Sequence, residues 1–344
     1  MSKAKTVIRT MQEFSEYVGV SRPTVSKFFS DPASVRANTR KKLESAAKEL
    51  SFQPNMLAVN FKRKKTNLIG VIIPDATDPF YASLTQQVTH IADQSGMITI
   101  VLGSDGDNEL QSRSISTVMG MQVAGVIFVP TTHTEKNQQE ITRLINTTPT
   151  VFVDTYTDLA THFVGTDNTQ SITLIVEYLL RSGSPPCYFP MPLVNSNAVL
   201  RYETYAAVMQ KAGYEPRLVP TDDSLNWNFE AWACQQAQKV LENGGFPTST
   251  ILCANDRIAY GVMAACHAAG LKIGRNEDDD LRIAGHDDHP LARYTYPPLT
   301  TVRQNTADIA SIATEMLLEM VQAQNPLTPE KTLLDSTLQL RDSA

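Results

Sequence analysis

The sequence predicts two structural parts: an all-α helix-turn-helix head and a larger α/β body with parallel sheets and helices on both faces. Within the first 53 residues apolar side chains recur at helical spacing, whereas from residue 67 short apolar strands alternate with amphipathic stretches. The 344 residues are too many for one core, and 42% of them are apolar. We therefore expect a soluble protein of two or three compact units.

Charge is divided unequally between the two parts. Residues 1–65 contain 14 Lys and Arg against 5 Asp and Glu, a net +9, whereas the other 279 residues contain 16 against 31, a net −15. Because binding to a polyanion needs local positive charge, this division points to nucleic acid as the partner of the head. A solvated basic tail is the alternative, but that would be disordered, and the head has periodic apolar residues.

The first predicted helix has apolar positions at Met11, Phe14 and Val18. Thr10 with Glu13 three residues later is typical of a capping box, which would begin this helix. The next residue after the helix is glycine, which turns sharply because it has no Cβ.

Two further helices complete the predicted head. Ser21 is a suitable N-cap for the second, and Pro23 is tolerated in a first turn, where backbone N–H groups have no intrahelical partner. The second helix would bury Val25, Phe28 and Phe29. The third is predicted to begin at Asn38 or Thr39 and to bury Leu43, Ala46, Ala47 and Leu50.

A helix-turn-helix places its second helix in the major groove of DNA, with its first residues at the base edges. In this chain Arg22, Pro23 and Lys27 would face the bases, and phosphates or bases would be contacted by Ser21, Thr24 and Ser26. Pro23 has no hydrogen-bonding side chain, so base discrimination should depend mainly on Arg22 and Lys27. An ordinary capped surface helix is the alternative, because many helical hairpins share a glycine turn.

The body has six predicted strands, at "LIGVII", "MITIVLG", "GVIFV", "TVFVD", "TILCA" and "LRIAG". Ligands bind beyond the carboxyl ends of such strands, and the residues there are polar in this sequence. Carboxylates and amides that bind paired hydroxyls, with aromatic faces such as Phe80 and Trp227 against sugar C–H surfaces, indicate a polyol-type site. An Asp at a strand end also commonly caps the next helix, and we expect this role for Asp78.

The cluster "HDDHP" at residues 286–290 is the strongest signal for an enzyme or a metal site. Neighbouring residues of one loop cannot all face one ion, however, and no second His or Cys cluster completes a ligand set. The sequence also lacks a GxSxG nucleophile elbow, a GxxxxGK[ST] phosphate loop and a GxGxxG dinucleotide turn. We therefore expect no enzyme activity, no cofactor and no metal.

Compartment is predicted from two further features. The four cysteines are far apart and lack metal-ligand spacing, so we expect reduced core residues. We find neither a signal peptide nor an apolar run of membrane-spanning length, so no membrane partner is expected. The cytoplasm is therefore the expected location.

Several stretches together resemble the LacI/GalR family of bacterial transcriptional regulators. They are "GVSRPTVSKF", "TRKKLESAAKELSFQPNMLA", "KTNLIGVIIPDATDPFYASL", "VAGVIFVP", "CANDRIAYGVMAACHAAGL" and "RIAGHDDHPLARYTYPPLTTVRQN". The resemblance covers nearly the whole chain. It implies a two-lobed body of the periplasmic-binding-protein type, with three crossings of the chain between lobes and a small molecule in the cleft.

The domain boundaries follow from this resemblance. They are a DNA-binding domain at 1–53, a hinge helix and linker at 54–65 and a body for effector binding and dimerisation at 66–344. Lobe 1 is expected at about 66–165 and 291–325, and lobe 2 at about 166–290 and 326–344. In the family an apolar hinge residue, usually Leu, wedges into the minor groove. Here that position is Phe61, which suits partial intercalation, although packing against the body is the alternative.

Two sets of site residues are predicted. The DNA-binding set is Thr10, Met11, Ser21, Arg22, Pro23, Thr24, Ser26, Lys27, Ser30, Asn55, Ala58 and Phe61. The effector-binding set is Asp75, Phe80, Tyr81, Ser104, Asp105, Asp154, Asn197, Arg201, Trp227, Asn255, Asp287 and Gln304. Arg201 is the most informative, because a guanidinium grips a carboxylate or adjacent hydroxyls with two N–H groups, although a structural ion pair is the alternative. The nearby segments "RSGSPPCYFPMP" and "RYETY" depart from the family pattern, which leaves the effector's identity open.

The resemblance implies a repressor of carbohydrate-utilisation genes whose affinity for its operator is controlled allosterically by a sugar-like effector. A homodimer on a palindromic duplex is expected, because one reading helix covers too few bases for useful specificity. The chain ends at "STLQLRDSA" soon after its last strand, so we expect a dimer and not a tetramer. The alternative is a sugar-binding or enzymatic α/β domain whose basic head serves another partner. The sequence leaves open whether the effector releases the protein from DNA or promotes binding.

Overall fold

The structure is a computed structural model that describes residues 8–53, 66–131, 135–222, 227–323, 325 and 327–344. Of Ser30, Glu135 and Lys136 it describes the backbone alone. The chain divides into two compact units between Asn67 and Leu68, and each is described by itself. The predicted hinge at 54–65, with Asn55, Ala58 and Phe61, lies outside the described residues.

The head consists of three helices, α1 (Met11–Val18), α2 (Arg22–Ser30) and α3 (Ala37–Leu50), with a short 3-10 turn at Pro32–Ser34. The predicted capping box is confirmed: Glu13 N donates to Thr10 Oγ1 at 3.1 Å, and Thr10 N donates to the Glu13 carboxylate at 3.2 Å. Gly19 has a left-handed φ of 67°, which allows the turn between α1 and α2.

The core of the head joins all three helices. Phe14, Val25 and Leu43 are fully buried, and the ring of Phe14 stacks on Phe52 with 4.4 Å between centroids. Such aromatic contacts bury a large apolar area in a unit of only about 50 residues, where little other core is available.

Two details of the head differ from the sequence prediction. Helix α3 begins at Ala37, not at Asn38 or Thr39, because the carbonyl of Arg36 already accepts a hydrogen bond from Arg40 N at 2.9 Å. Ser21 occupies the N-cap position of α2, but its hydroxyl lies 2.9 Å from the Thr24 hydroxyl and makes no capping bond to a backbone N–H.

The body contains a six-stranded sheet in which every pairing is parallel. Its order is β10-β5-β4-β3-β1-β2. The strands are β1 (Leu68–Ile73), β2 (Ile98–Gly103), β3 (Gly125–Phe128), β4 (Thr150–Val153), β5 (His162–Thr166) and β10 (Lys331–Leu334). Helix α11 (Thr306–Gln322) shares the apolar core on one face of this sheet with α4 (Pro79–Gln94). These elements form the first lobe.

A second parallel sheet, in the order β6-β7-β8, organises the second lobe. Its strands are β6 (Cys187–Phe189), β7 (Thr250–Cys253) and β8 (Arg282–Ala284). Nearby, β9 (Thr301–Arg303) pairs antiparallel with β11 (Thr337–Gln339). The remaining helices of the body are α5 (Asn108–Gly120), α6 (Glu135–Thr147), α7 (Asn168–Ser182), α8 (Ser196–Lys211), α9 (Phe229–Glu242) and α10 (Asp256–Ala268). All four cysteines are free, and three are buried.

The lobe boundaries differ from those predicted at residues 290 and 325. Leu299 and Val302 pack in the core of the second lobe, so the second crossing falls between β9 and α11. Strand β10 still belongs to the first sheet, and Ala344 packs in the second core, so the third crossing falls between β10 and β11. The sequence prediction missed these boundaries because β9, β10 and β11 are short, with no long apolar run to mark them.

Within the described parts of the chain, no helix combines the length and apolar character needed to cross a bilayer.

Candidate DNA-binding face and ligand cleft

The first turns of α2 present a polar and basic face to solvent. Ser21, Arg22, Pro23 and Lys27 are exposed, and Thr24 and Ser26 are half-buried. Val25 and Phe28, on the opposite side of the same helix, are buried in the head. The packing of α2 therefore leaves the predicted base-reading positions accessible.

Three other predicted DNA contacts have different surroundings. Thr10 is exposed, but its hydroxyl already accepts the capping bond of α1. Met11 is half-buried and packs against the core of the head. Ser30 is the last residue of α2, and its side chain is outside the description. All three remain predictions as DNA contacts.

The body contains a cavity of about 30 Å³ between its two lobes. Nine of the predicted effector-binding residues line it: Phe80, Tyr81, Asp154, Asn197, Arg201, Trp227, Asn255, Asp287 and Gln304. Asp78, Met191, Asn195 and Phe229 complete the lining. Many of these residues follow the carboxyl ends of strands, where a parallel sheet is expected to bind its ligand. Whether they bind an effector stays a prediction.

The other three predicted effector residues do not line the cavity. Asp75 is bonded to Arg257 beside it, at 2.9 Å. The Ser104 hydroxyl points back to the carbonyl of Ile73, and Asp105 is exposed in a turn with a left-handed φ of 48°. Both follow β2, which is an edge strand of the first sheet, so their loop lies to one side of the cavity.

Arg201 is held by three groups of the second lobe. Its Nε donates to Asn168 Oδ1 at 2.8 Å, its Nη1 to the carbonyl of Ala254 at 2.9 Å, and its Nη2 to Asp287 Oδ1 at 3.4 Å. Its side chain is 5% exposed. Arg201 thus makes an ion pair with Asp287, as the structural alternative expected, and it also lines the cavity.

Asp287 is the carboxylate that accepts hydrogen bonds from several side chains on the second-lobe side of the cleft. It has a positive φ of 119°, and Gln304 Nε2 donates to its Oδ1 at 2.6 Å. Burial opposes ionisation, but the Arg201 guanidinium and hydrogen bonding from His286 hold the pKa of Asp287 far below its usual range. Asp287 is therefore a carboxylate at neutral pH.

Ser171, His286 and Asp287 form a hydrogen-bonded chain. His286 Nε2 lies 2.9 Å from Ser171 Oγ, and His286 Nδ1 lies 2.9 Å from Asp287 Oδ1. Burial lowers the pKa of His286 to about 4, so the neutral ring donates through Nδ1 and accepts from Ser171. Both Ser171 and His286 are fully buried, which suits orientation of Asp287 and not attack on a substrate.

Asp154 is the corresponding acceptor of the first lobe. Tyr81 OH donates to its Oδ2 at 2.9 Å, and Asn197 Nδ2 from the second lobe donates to its Oδ1 at 3.1 Å. Burial raises the pKa of Asp154 to about 6, although the charge of Arg201 acts in the opposite direction. Asp154 thus titrates closer to neutral pH than an exposed aspartate does.

Asp78 lines the cavity, and two residues absent from the predicted effector-binding set, His289 and Arg257, lie beside it. Asp78 caps α4 as expected, since Phe80 N donates to its Oδ1 at 2.8 Å. The buried ring of His289 lies between Asp78 and Asp287, with Nε2 at 3.6 and 3.5 Å from their oxygens. Arg257 bonds to Asp78 at 3.2 Å. A basic residue in the first turn of a helix that directly follows a strand was the available signal for Arg257.

Comparison with known proteins identifies the family. Residues 10–55 match the bacterial regulatory proteins of the lacI family, and residues 179–344 match the periplasmic binding protein-like domain. The chain belongs to the LacI family. This LacI-family chain is 28% identical to the ribose operon repressor of Escherichia coli (strain K12) over 337 residues, which covers 97% of this chain and 99% of that protein.

Two further similarities extend over most of the chain. Catabolite control protein A of Streptococcus mutans is 28% identical over 323 residues, 92% of each protein. The crystal structure of the Lac repressor dimer bound to operator and the anti-inducer ONPF has a TM-score of 0.81 and 25% identity. That similarity covers 97% of this LacI-family chain and 98% of the other.

Proposed function

We propose that this protein is a homodimeric transcriptional repressor that binds a palindromic operator and responds to a neutral, sugar-like effector. The observation that carries the proposal is the presence, in one chain, of an exposed basic helix face and a polar cavity between two lobes. Its relatives include a ribose operon repressor and a Lac repressor solved on its operator. The cytoplasm is then its compartment, because operator DNA is there.

Operator recognition depends on α2. Arg22 and Lys27 are both exposed on this helix, and both are donors suited to guanine edges or phosphates. The buried Val25 and Phe28 fix the orientation of that side relative to the rest of the head. Asn55, Ala58 and Phe61 remain predicted minor-groove contacts of the hinge.

Dimerisation is favoured by two apolar features of the body surface. Strand β2 is an edge of the six-stranded sheet, and its Ile98 and Val101 are 46% and 41% exposed. Tyr294 and Tyr296 are 77% and 95% exposed on the second lobe. Exposed edge strands and clustered apolar side chains tend to be covered by a partner, and a second copy of the chain satisfies both.

The charge of the cavity lining selects among sugar-like ligands. The cavity is lined by three carboxyl groups, from Asp78, Asp154 and Asp287, and by one guanidinium, that of Arg201. Arg257, outside the lining, pairs with Asp78, so Asp154 and Asp287 still outnumber Arg201. An added carboxylate or phosphate would meet net repulsion in a site of low dielectric constant, whereas hydroxyl groups can donate to these acceptors. Aromatic lining by Phe80 and Trp227 suits the C–H face of a sugar ring. The effector is therefore a neutral sugar and not a sugar acid or a sugar phosphate.

The DNA-binding part is tested by selecting duplexes from a random library and measuring affinity across a salt series. We expect a palindromic consensus, with Arg22→Ala or Lys27→Ala costing about 1–3 kcal/mol and relaxing base preference. Tyr17→Ala, at an exposed site of α1, is the matched control. Uniform binding to all duplexes would instead support the alternative of a sugar-binding domain with an accessory basic head.

The effector part is tested by a thermal-shift screen of the full chain with neutral sugars, sugar acids and sugar phosphates. A ligand of the folded state must raise the apparent stability. We expect stabilisation by neutral sugars alone, and loss of that stabilisation in Asp154→Asn. A sugar phosphate as the best ligand would contradict the charge argument without affecting the DNA result.

A further inference from the structure

Arg257, in the first turn of α10, uses all five of its N–H groups. Within the second lobe its Nε and Nη2 donate to the two oxygens of Glu230 at 2.7 and 2.8 Å, a bidentate pair. Its Nη2 also donates to the carbonyl of Trp227 at 3.1 Å. The guanidinium carbon lies 5.0 Å from the centroid of the Phe229 ring. These contacts hold the guanidinium in one orientation within its own lobe.

The remaining nitrogen crosses to the first lobe. Arg257 Nη1 donates to Asp75 Oδ2 at 2.9 Å and to Asp78 Oδ2 at 3.2 Å, both in the loop after β1. The side chains of Arg257, Asp75 and Asp78 are only 8–10% exposed. Because Glu230 has already fixed the guanidinium, little side-chain entropy is lost when Nη1 meets the two carboxylates.

The surfaces around this ion bridge are in direct contact. Trp227 of the second lobe lies on Gly106 of the first, so closely that a Cβ at Gly106 would lie 1.7 Å from the indole Nε1. Ser196 Oγ donates to the carbonyl of Tyr156 at 3.0 Å across the same boundary. The cavity lined by both lobes has a volume of about 30 Å³, room for about one water molecule, so it can hold a sugar only if the lobes move apart.

We propose that Arg257 is an interlobe latch that holds the body closed without a ligand, so that any effector must first release its bridge to Asp75 and Asp78. In the closed body the guanidinium compensates two buried carboxylates. Without it those carboxylates are buried and unpaired, a strongly unfavourable arrangement that opening relieves by hydration. The strength of the latch thus sets the open fraction, and hence the effector concentration needed for a response.

Lobe closure is measurable without DNA or effector, so this inference does not rest on the proposed function. Spin labels at the exposed positions Glu109→Cys of the first lobe and Glu242→Cys of the second, in a Cys234→Ser background, report the distance between lobes by double electron–electron resonance. For the full chain without ligand we expect one narrow distance distribution. Arg257→Met should add a longer distance and change the closed-to-open ratio at least about tenfold.

A second variant and a matched control separate a latch from a merely structural arginine. Asp75→Asn with Asp78→Asn removes the crossing while Arg257 keeps Glu230, and should lengthen the distance in the same way. Arg341→Met removes another mostly buried arginine, which pairs with Asp288 inside the second lobe, and should leave the distance unchanged. Arg257→Lys should retain more of the closed population than Arg257→Met. The Lys ammonium can still reach the two carboxylates, although it cannot form the bidentate pair with Glu230.

The distance between the lobes can either support or contradict the latch. An unchanged distribution in folded Arg257→Met, or a wild type that is already open, would overturn it. If Arg257→Met does not fold, the double aspartate variant gives the answer: a longer distance supports the latch, and the wild-type distance rejects it.

Discussion

The head and the cleft place their functional residues in opposite ways. In the head, the predicted DNA contacts of α2 and its N-cap lie within ten consecutive positions, Ser21 to Ser30, and most of those whose side chains are described are exposed. In the cleft, the side chains of Arg201 and Asp287 are 5% and 9% exposed, and they meet across 86 positions of sequence. A predicted base-reading residue of the head can therefore be exchanged at little cost in stability, whereas exchange of a buried residue of the cleft also destabilises the body.

The largest expected effect is in the cleft. Arg201→Met leaves the buried Asp287 carboxylate without its cation, so the free energy of unfolding of the body should fall by about 3–5 kcal/mol. Urea denaturation followed by circular dichroism measures this loss. Arg181→Met is the control, because Arg181 forms an exposed pair with Glu177 and should cost less than about 1 kcal/mol. Equal losses of unfolding free energy in the two variants would contradict the view that the ion pair of the cleft contributes more to stability than a surface pair.

The core of the head gives the next effect. Phe14→Ala removes a fully buried ring that stacks on Phe52 and should cost about 3 kcal/mol, a large part of the stability of so small a unit. We expect DNA binding to be lost while ligand-induced stabilisation of the body is kept. A calorimetric scan that shows the head transition lowered and the body transition unchanged would establish that the two units are independent.

As pH falls, two groups in and beside the cleft should change the stability of the body in opposite directions. The pKa of Asp154 is raised from 3.8 to about 6, so its protonation stabilises the fold as pH falls from 6 to 4. The pKa of His286 is lowered from 6.5 to about 4, so the unfolded chain takes up a proton first and the fold loses stability over a similar range. Asp154→Asn removes the favourable contribution and should lose about 2 kcal/mol more than wild type between pH 7 and pH 4.

The reverse substitution checks this sign. His286→Gln removes the unfavourable contribution, so acidification from pH 7 to pH 4 should destabilise it less than wild type. Denaturation midpoints at several pH values measure both slopes. Slopes that move in the same direction for Asp154→Asn and His286→Gln would contradict the assignment.

The smallest effect distinguishes two caps of the head. Thr10→Ala breaks the capping box of α1 and should cost about 1 kcal/mol. Ser21→Ala should cost only a few tenths of a kcal/mol, because the Ser21 hydroxyl bonds to Thr24 and not to a backbone N–H. Thermal denaturation of both variants measures the difference, and a larger loss at Ser21 would show that capping there is stronger than its geometry indicates.

Local signals predicted most of the head and six of the strands. The helical spacing of Phe14 and Val18, the Thr10 cap and the glycine turn all act within a few residues, so they can be found in the sequence. The prediction was less accurate where a boundary depends on single backbone bonds, as at the start of α3. It missed β5, β6, β9, β10 and β11, which are three to five residues long and whose pairing depends on strands distant in the chain.

The cleft could be predicted only in part. The strand-end rule and the family resemblance brought Asp154, Arg201 and Asp287 into one set, and the structure places all three around one cavity. The same rule also selected Ser104 and Asp105, because a sequence does not reveal that β2 lies at the edge of the sheet. Arg257 was missed because its importance depends on Asp75 and Asp78, about 180 residues away.

The sequence was enough to predict the helices of the head, six strands of the body, the charge difference between head and body and the residue types available for each site. These properties depend on spacing and charge, which are local or additive along the chain. The tertiary structure was needed to show which carboxylates share a guanidinium, which pKa values shift and how the lobes meet. These depend on burial and on distances between remote residues, because an electrostatic interaction has its full strength only where water is excluded.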